Sequence, residues 1–317
     1  DVLMVSGSDT HGTPVTLRAE QEGSTSREVF QRFHRRFLET QQEIGISYTL
    51  FTHTDTENHH RVSQDMFLGL RDNGYVYRET QKQFYSETLD RFLPDRYVEG
   101  VCPHCGYEEA RGDQCDNCGK ILDALELGNP RTKIDGSVPV IRETEHFFLD
   151  LPKLEPQVEA YLDEDKDDWR ASVLNFSRNY VKGGLKGRPI TRDIQWGIPV
   201  PLDGYEDKRL YVWFEAVIGY LSASIEVSAL DDEPEAWKQW WYNEDAETYY
   251  FIGKDNIVFH TVIWPAELIG VENLYEEDGK QLNLPTDVPA NEFMNLAGAQ
   301  FSKSRGHMVT LPDILSR

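Results

Sequence analysis

Long apolar runs are missing from this chain: no 18 consecutive apolar residues occur among its 317, and mean hydropathy is -0.56. A membrane-spanning segment is therefore not expected. Basic residues are scarce too, 32 Lys and Arg against 55 Asp and Glu, for a net charge of -23. Only 12 of the 32 are lysines. The acidity runs through every segment rather than one tail, as expected of a whole surface adapted to concentrated salt, so a halophilic, archaeal source is expected. Charge of this kind speaks for solubility and not for fold. It also counts against a nucleic-acid partner, since phosphate is met by Lys and Arg. Strong salt weakens that objection, because screening then acts within about 3 Å. No basic stretch followed by an apolar run opens the sequence, so no secretory leader is expected. With four cysteines in two close pairs, metal ligation in the cytoplasm is expected before a disulfide framework.

What is there reads as α/β. Asp1 to Gly7 is an apolar run that begins abruptly, as if in mid-domain, and predicts a buried strand. Ser8 to Pro14 is then a loop at the strand's carboxyl end, where open parallel sheets hold ligands. Helices are predicted from Pro14 to Glu22 and from Thr25 to Ile44, the second striped by Val29, Phe30, Phe33 and Phe37. A strand over Tyr48 to Thr52 and a helix carrying Val62, Met66, Phe67 and Leu70, capped by Asp55, complete half of a doubly wound domain. Short strands and turns follow as far as Leu149, then the acidic stretch Asp163 to Asp168 as a solvated linker, and a helix from Trp169 to Lys182. Alternation resumes with Arg209 to Trp213 as strand, Glu215 to Ile225 as helix, Thr248 to Ile252 as strand and Asn256 to Ile269 as helix. The expected fold is a doubly wound, Rossmann-like parallel-sheet domain in two parts, 1–79 and 188–297, interrupted by an insertion over 80–187, with 298–317 beyond it.

Cys102-Pro-His-Cys105 and Cys115-Asp-Asn-Cys118 are two C-x-x-C knuckles nine residues apart. Gly106 and Gly119 let the backbone turn so that N–H groups face the thiolates. Four thiolates suit one structural zinc ion, with His104 left in solvent and no open position for chemistry. An iron–sulfur site, or redox or disulfide cysteines, are the alternatives.

Trp213, Ala216, Val217 and Tyr220 share one helix face, and Asn256, His260 and Trp264 share another. Each alone reads as ordinary core. Together, with Asp9 at a strand end, they predict an apolar slot with one carboxylate, suited to a long uncharged side chain bearing an ammonium group. In Gln300-Phe-Ser-Lys-Ser-Arg-Gly306, a lysine between small hydroxyl residues can fold onto a polyphosphate, although such a run also occurs in plain solvated loops.

That last run resembles the K-M-S-K-S signature of class I aminoacyl-tRNA synthetases, with Gln300 and Phe301 in its first two places and Lys303 in the fourth. Ser8-Asp-Thr-His-Gly-Thr-Pro14, Phe92-Leu-Pro-Asp-Arg96, Glu145-His-Phe-Phe148, Ile190-Thr-Arg-Asp193, Tyr211 to Tyr220 and Phe251-Ile-Gly-Lys-Asp255 extend the likeness to the methionyl-tRNA synthetase family over nearly the whole chain. The resemblance implies L-methionine, ATP with Mg²⁺, and tRNA(Met) as partners. It implies that Asp9 holds the methionine ammonium, that Trp213, Ala216, Val217, Tyr220, His260 and Trp264 line the thioether pocket, and that Gly253 and Asp255 lie near the adenosine. Arg192 would support the electrostatics, and Ser302 and Lys303 would meet the pyrophosphate. Val217 stands where many members have proline and Asn256 where many have isoleucine, so the pocket wall is expected to differ in detail. The family's ATP-clasping H-I-G-H segment is expected before Asp1 and its anticodon-binding helices after Arg317, so a central fragment with poor adenylation is expected. A non-catalytic, zinc-containing RNA-binding module and a synthetase of the leucine, isoleucine or valine group are the rival readings. The presence of Asp9 and Lys303 argues against the first, and the small insertion against the second.

Overall fold

The first apolar run forms strand β1 (Val5–Ser8), and helices α1 (Thr13–Glu22) and α2 (Ser26–Glu43) follow it. These elements are seen in a computed structural model that describes residues 1–112, 115, 117–118, 122–164, 166–276, 279–296, 298–301 and 308–315. Pro14 occupies the first turn of α1, where its missing N–H leaves nothing unpaired. A capping box opens α2: the Glu28 N–H donates to Thr25 Oγ1, and the Thr25 N–H donates back to the Glu28 carboxylate. Strand β2 (Leu50–His53) lies parallel to β1, with Val5 opposite Leu50. The strands approach closely at Gly7, where a Cβ would stand 2.9 Å from the Thr52 carbonyl oxygen.

Helix α3 (Glu57–Asp72) buries Val62, Met66, Phe67 and Leu70 as the stripe predicts. Its cap is Thr56, whose hydroxyl accepts from the His59 N–H, and not Asp55. Both residue types cap well. Asp55 is instead drawn to Arg27, 2.9 Å away.

Strand β3 (Val76–Ser86) leads through β4 (Arg91–Phe92) into a three-stranded sheet of β5 (Val98–Val101), β6 (Ala110–Arg111) and β7 (Gly128–Thr132), and the chain returns along β8 (Val140–Leu149). β3 and β8 form one antiparallel ribbon, Val76 opposite Leu149. Beyond its tip lies a small separate core that includes Phe84, Leu93, Tyr97, Val98, Cys102 and Cys115. Helices α4 (Leu151–Asp163) and α5 (Ala171–Lys182) come next. The sequence reading missed α4, although Leu151, Leu154, Val158 and Leu162 bury one face of it. Pro152 and Pro156 mask it, since an interior proline removes a backbone donor.

Strands β9 (Arg188–Pro189), β10 (Thr191–Arg192) and β11 (Arg209–Leu210) precede α6 (Val212–Leu230). The strand expected as far as Trp213 therefore stops early, and Trp213 rides on the first turn of α6. After the short helix α7 (Lys238–Trp241), strand β12 (Ile252–Gly253) leads through a π-helical turn, Phe259–Ile263, into α8 (Trp264–Val271). Strand β13 (Ala290–Asn291) then pairs parallel with β12. Two parallel pairs with α3, α6 and α8 packed about them make the α/β core, whose main cluster also takes in the apolar faces of α4 and α5. At 19 residues and a mean hydropathy of 1.2, α6 is the one described helix apolar and long enough to cross a bilayer. It is mostly buried against α3, β1 and β2 and carries Glu215 inward, so it is a core helix of this domain.

Candidate active site

The loops after β1 and β2 are stitched together. The Thr54 N–H donates to the Ser8 carbonyl at 3.1 Å, and the Thr10 N–H donates to Thr54 Oγ1 at 3.0 Å. Asp9 is thereby held at the carboxyl end of β1, facing the first turns of α6, as the topology of parallel strands leads one to expect. A cavity of about 370 Å³ opens here, and Asp9, Trp213, Ala216, Val217, Tyr220, Gly253 and His260 all line it. Trp213 stacks on Phe259, ring centroids 4.3 Å apart and 16° from parallel, with the Arg188 guanidinium 4.8 Å from the same Phe259 ring. His260 Nδ1 lies 3.0 Å from the Asn256 carbonyl, which can only accept, so Nε2 is left to accept from the Tyr220 hydroxyl at 2.7 Å. Burial pushes the His260 pKa down and that of Tyr220 up to about 12. The floor is thus polar yet neutral.

Trp264 departs from the expected set. It is fully buried, donates to the Tyr250 hydroxyl at 3.0 Å and packs against Trp241, behind the cavity wall. The π-helical turn between Asn256 and Trp264 advances each residue by a smaller angle than an α-helix does, so the third member of the stack swings into the core. Asp255 is exposed in the turn after Gly253 and does not line the cavity. A second cavity of about 770 Å³ shares Asp9 and Trp213 with the first and is walled by Phe30, Phe33 and Phe37 of α2. This explains why the α2 stripe is only partly covered, Phe37 being 47 % exposed. Arg192 lines the larger cavity, its guanidinium stacked 3.8 Å from the Tyr211 ring. The neighbouring Asp193 is engaged by Lys208 at 2.6 Å and His146 at 3.2 Å. Burial works to raise the Asp193 pKa, but hydrogen bonds from His146, Lys208 and Thr144 outweigh it and hold it down to about 2. Ser302 and Lys303 lie outside the described residues.

A buried charge network under Asp9 was not anticipated. Glu215, 0 % exposed on α6, accepts from His11 Nδ1 at 3.0 Å and from His59 Nε2 at 2.8 Å. Burial would raise its pKa, yet these two hydrogen bonds bring it below the ordinary carboxylate range. Burial likewise opposes a charge on His11, but Asp55 and Glu215 push its pKa up to about 9. Asp9 is exposed to the cleft and yet hemmed in by protein. Lost solvation and then the Glu215 charge move its pKa upward, and the His11 charge and backbone N–H oppose the rise. The only sequence signal for the network was a glutamate set among apolar residues on the inward face of a helix.

The four cysteine sulfurs gather within 4.8 Å of one another, Cys102 to Cys118 at 3.9 Å and Cys105 to Cys115 at 3.6 Å. Zinc–thiolate bonds of about 2.3 Å would place tetrahedral sulfurs roughly 3.8 Å apart, so the cluster fits such an ion and is too open for disulfides. The His104 N–H points at Cys102 Sγ, and Asn117 Nδ2 donates to Cys105 Sγ at 3.5 Å. Gly106 supplies the left-handed turn at φ 74°, while Gly119 lies outside the described residues.

A family model described as "tRNA synthetases class I (M)" matches residues 1–317. The chain is 59 % identical over 316 residues to a methionine–tRNA ligase of Thermomicrobium roseum, covering 100 % of this chain and 53 % of that protein. It is 56 % identical over 317 residues to the methionine–tRNA ligase of Dehalococcoides mccartyi, covering 100 % of this chain and 56 % of that protein. The chain spans about half the length of the curated relatives it matches. Among solved structures it is similar to Mycobacterium tuberculosis methionyl-tRNA synthetase in complex with methionyl-adenylate, at 25 % identity and a TM-score of 0.71, covering 100 % of this chain and 54 % of that one. These named relatives are bacterial, and the archaeal, halophilic source expected from the acidity finds no support in them.

Proposed function

This chain belongs to the tRNA synthetases class I (M), and on that premise we propose that it forms the central part of a cytoplasmic enzyme that activates L-methionine with ATP and passes the methionyl group to tRNA(Met). The observation that carries the reading is the smaller cavity, an aromatic and neutral pocket with one carboxylate at its rim. Asp9 receives the ammonium group of methionine. Trp213, Ala216, Val217, Tyr220 and His260 surround the thioether, with Trp264 supporting them from behind. A side chain without a strong hydrogen-bonding handle is selected by fit and by sulfur–aromatic contact, and a neutral floor suits it better than a charged one.

Activation joins the methionine carboxylate to the α-phosphate of ATP and expels pyrophosphate. Gly253 lets the backbone come close to the nucleotide, with Asp255 beside it near the ribose. Arg192, reaching the larger cavity next to Asp9, adds positive charge. Lys303, flanked by Ser302, meets the charge growing on the leaving pyrophosphate. Mg²⁺, bound together with ATP, supplies charge neutralisation of the phosphates. Cys102, Cys105, Cys115 and Cys118 hold a structural zinc ion that closes the knuckle and leaves no position for chemistry. In this reading 1–79 and 188–297 are the two parts of the catalytic domain, 80–187 is the connective insertion, and 298–317 carries the lysine loop. ATP–pyrophosphate exchange by the full-length protein, run with methionine, leucine, isoleucine and valine in turn, tests it. Exchange is expected with methionine at least 100-fold above the others, in line with the discrimination attainable by a fitted pocket. Preference for a branched side chain, or no exchange with any of the four, would overturn it.

A further inference from the structure

His11, Asp55 and His60 meet at one point behind the Asp9 loop, and the reaction above gives the three no part. His11 Nε2 lies 3.7 Å and His60 Nε2 3.5 Å from the same oxygen, Asp55 Oδ1. Hydrogen bonds of this type run to about 3.2 Å. Both nitrogens are buried, and neither has a hydrogen-bond partner. Two imidazole nitrogens aimed at one carboxylate oxygen, each somewhat too far to bond it, leave a gap that a proton on either ring fills poorly.

A metal ion fills it well. Bonds of about 2.0–2.2 Å from a tetrahedral ion to nitrogen and oxygen put neighbouring ligand atoms roughly 3.4 Å apart, and here the three ligand atoms all lie within 4.8 Å. The surroundings already have the form of a metal site's outer shell. Glu215 Oε1 accepts a hydrogen bond from His11 Nδ1–H at 3.0 Å, which orients the ring so that Nε2 faces Asp55. Arg27 holds the other oxygen of Asp55 at 2.9 Å. Trp196, edge-on to the His11 ring with centroids 5.5 Å apart, shields the cluster on one side. His11 and Asp55 have side chains 1 % and 4 % exposed, while His60, at 27 %, leaves a way in.

We propose that His11 Nε2, Asp55 Oδ1 and His60 Nε2 form a second, cysteine-free metal site in this chain, for a divalent first-row transition ion such as Zn²⁺ or Co²⁺. Two imidazoles to one carboxylate suit such ions and not Mg²⁺ or Ca²⁺, which take oxygen. The ion ties the β1–α1 loop, and with it Asp9, to the first turn of α3, and it occupies the Nε2 side of His11 while Nδ1–H stays on Glu215. The site is independent of the thiolate knuckle and of the adenylation reading.

The test is equilibrium dialysis of the full-length protein against Co²⁺, with X-ray absorption at the cobalt edge. Wild type is expected to hold one cobalt ion in a shell of nitrogen and oxygen alone, beside whatever ion the sulfurs hold. His60→Ala should weaken that ion's binding by more than the about 10–100-fold typical of losing an outer-shell partner, with no change in sulfur-ligated metal. Asp55→Asn should act in the same direction. Two results would overturn the assignment: cobalt in wild type found only with sulfur ligands, or equal nitrogen-ligated cobalt in wild type and His60→Ala. The first needs no variant to fold.

Discussion

The cysteine knuckle and the Glu215 network are built from opposite materials. At the knuckle, four thiols from two short stretches of one insertion gather beside a small apolar core. Under Asp9, Glu215 is satisfied by His11 and His59, which lie 204 and 156 residues away, inside the large core. The first arrangement is local, and its ligands approach one another whenever two tight turns form. The second exists only when the whole α/β domain closes. Loss of the knuckle should therefore be a local injury, and loss of the network a global one.

Metal removal from the knuckle is the strongest way to break that contrast. Apparent binding energies of structural zinc are about 10–16 kcal/mol, so chelation should abolish protection in the segment around β5, β6 and β7 while α3, α6 and α8 keep theirs. Hydrogen exchange with mass spectrometry reads this, and uniform loss through both cores would show that the two are one unit. Next in size, Glu215→Ala leaves two buried histidines without their acceptor and should cost about 3–5 kcal/mol of global stability, measured by urea unfolding. A cost under about 1 kcal/mol would mean that water replaces the carboxylate and that closure of the domain does not depend on it.

Lys303→Ala probes the chemistry rather than the scaffold. It should slow adenylate formation in the full-length protein by about 10²–10³-fold, the range for removing one donor to a developing charge, and change methionine affinity far less. Equal losses in both would remove the leaving-group role. Asp193 gives a smaller, pH-dependent effect. Its pKa is held down to about 2 from an ordinary 3.8, so it adds about 2 kcal/mol of stability above pH 4 that is lost as pH falls through 2. The stability difference between wild type and Asp193→Asn should shrink accordingly over that window, and a constant difference would reject the linkage. Smallest, Tyr220→Phe leaves His260 Nε2 without its donor and should cost about 1 kcal/mol.

Much of the fold was legible. Stripes of apolar residues marked α2 and α3, and the strand–loop order placed Asp9 at a strand end. Where the reading failed, two physical signals competed. Asp55 and Thr56 are both good helix caps, and Asp55 is turned instead toward Arg27, His11 and His60, partners far off in the chain or on the helix itself. The prolines of α4 hid a helix whose stability comes from the face it buries. The i, i+4, i+8 spacing that grouped His260 with Trp264 assumed a regular helix, and one wide turn sent the indole into the core.

Local order alone determined the knuckle pairs, the helices with one apolar stripe and the residue types at the pocket rim, because each depends on neighbours a few positions apart. Tertiary structure alone decided which histidine faces which carboxylate, since Glu215, His11, His59, Asp55 and His60 meet only after strands and helices far apart in the chain have packed. Burial then sets their charges, and burial is a property of the closed domain.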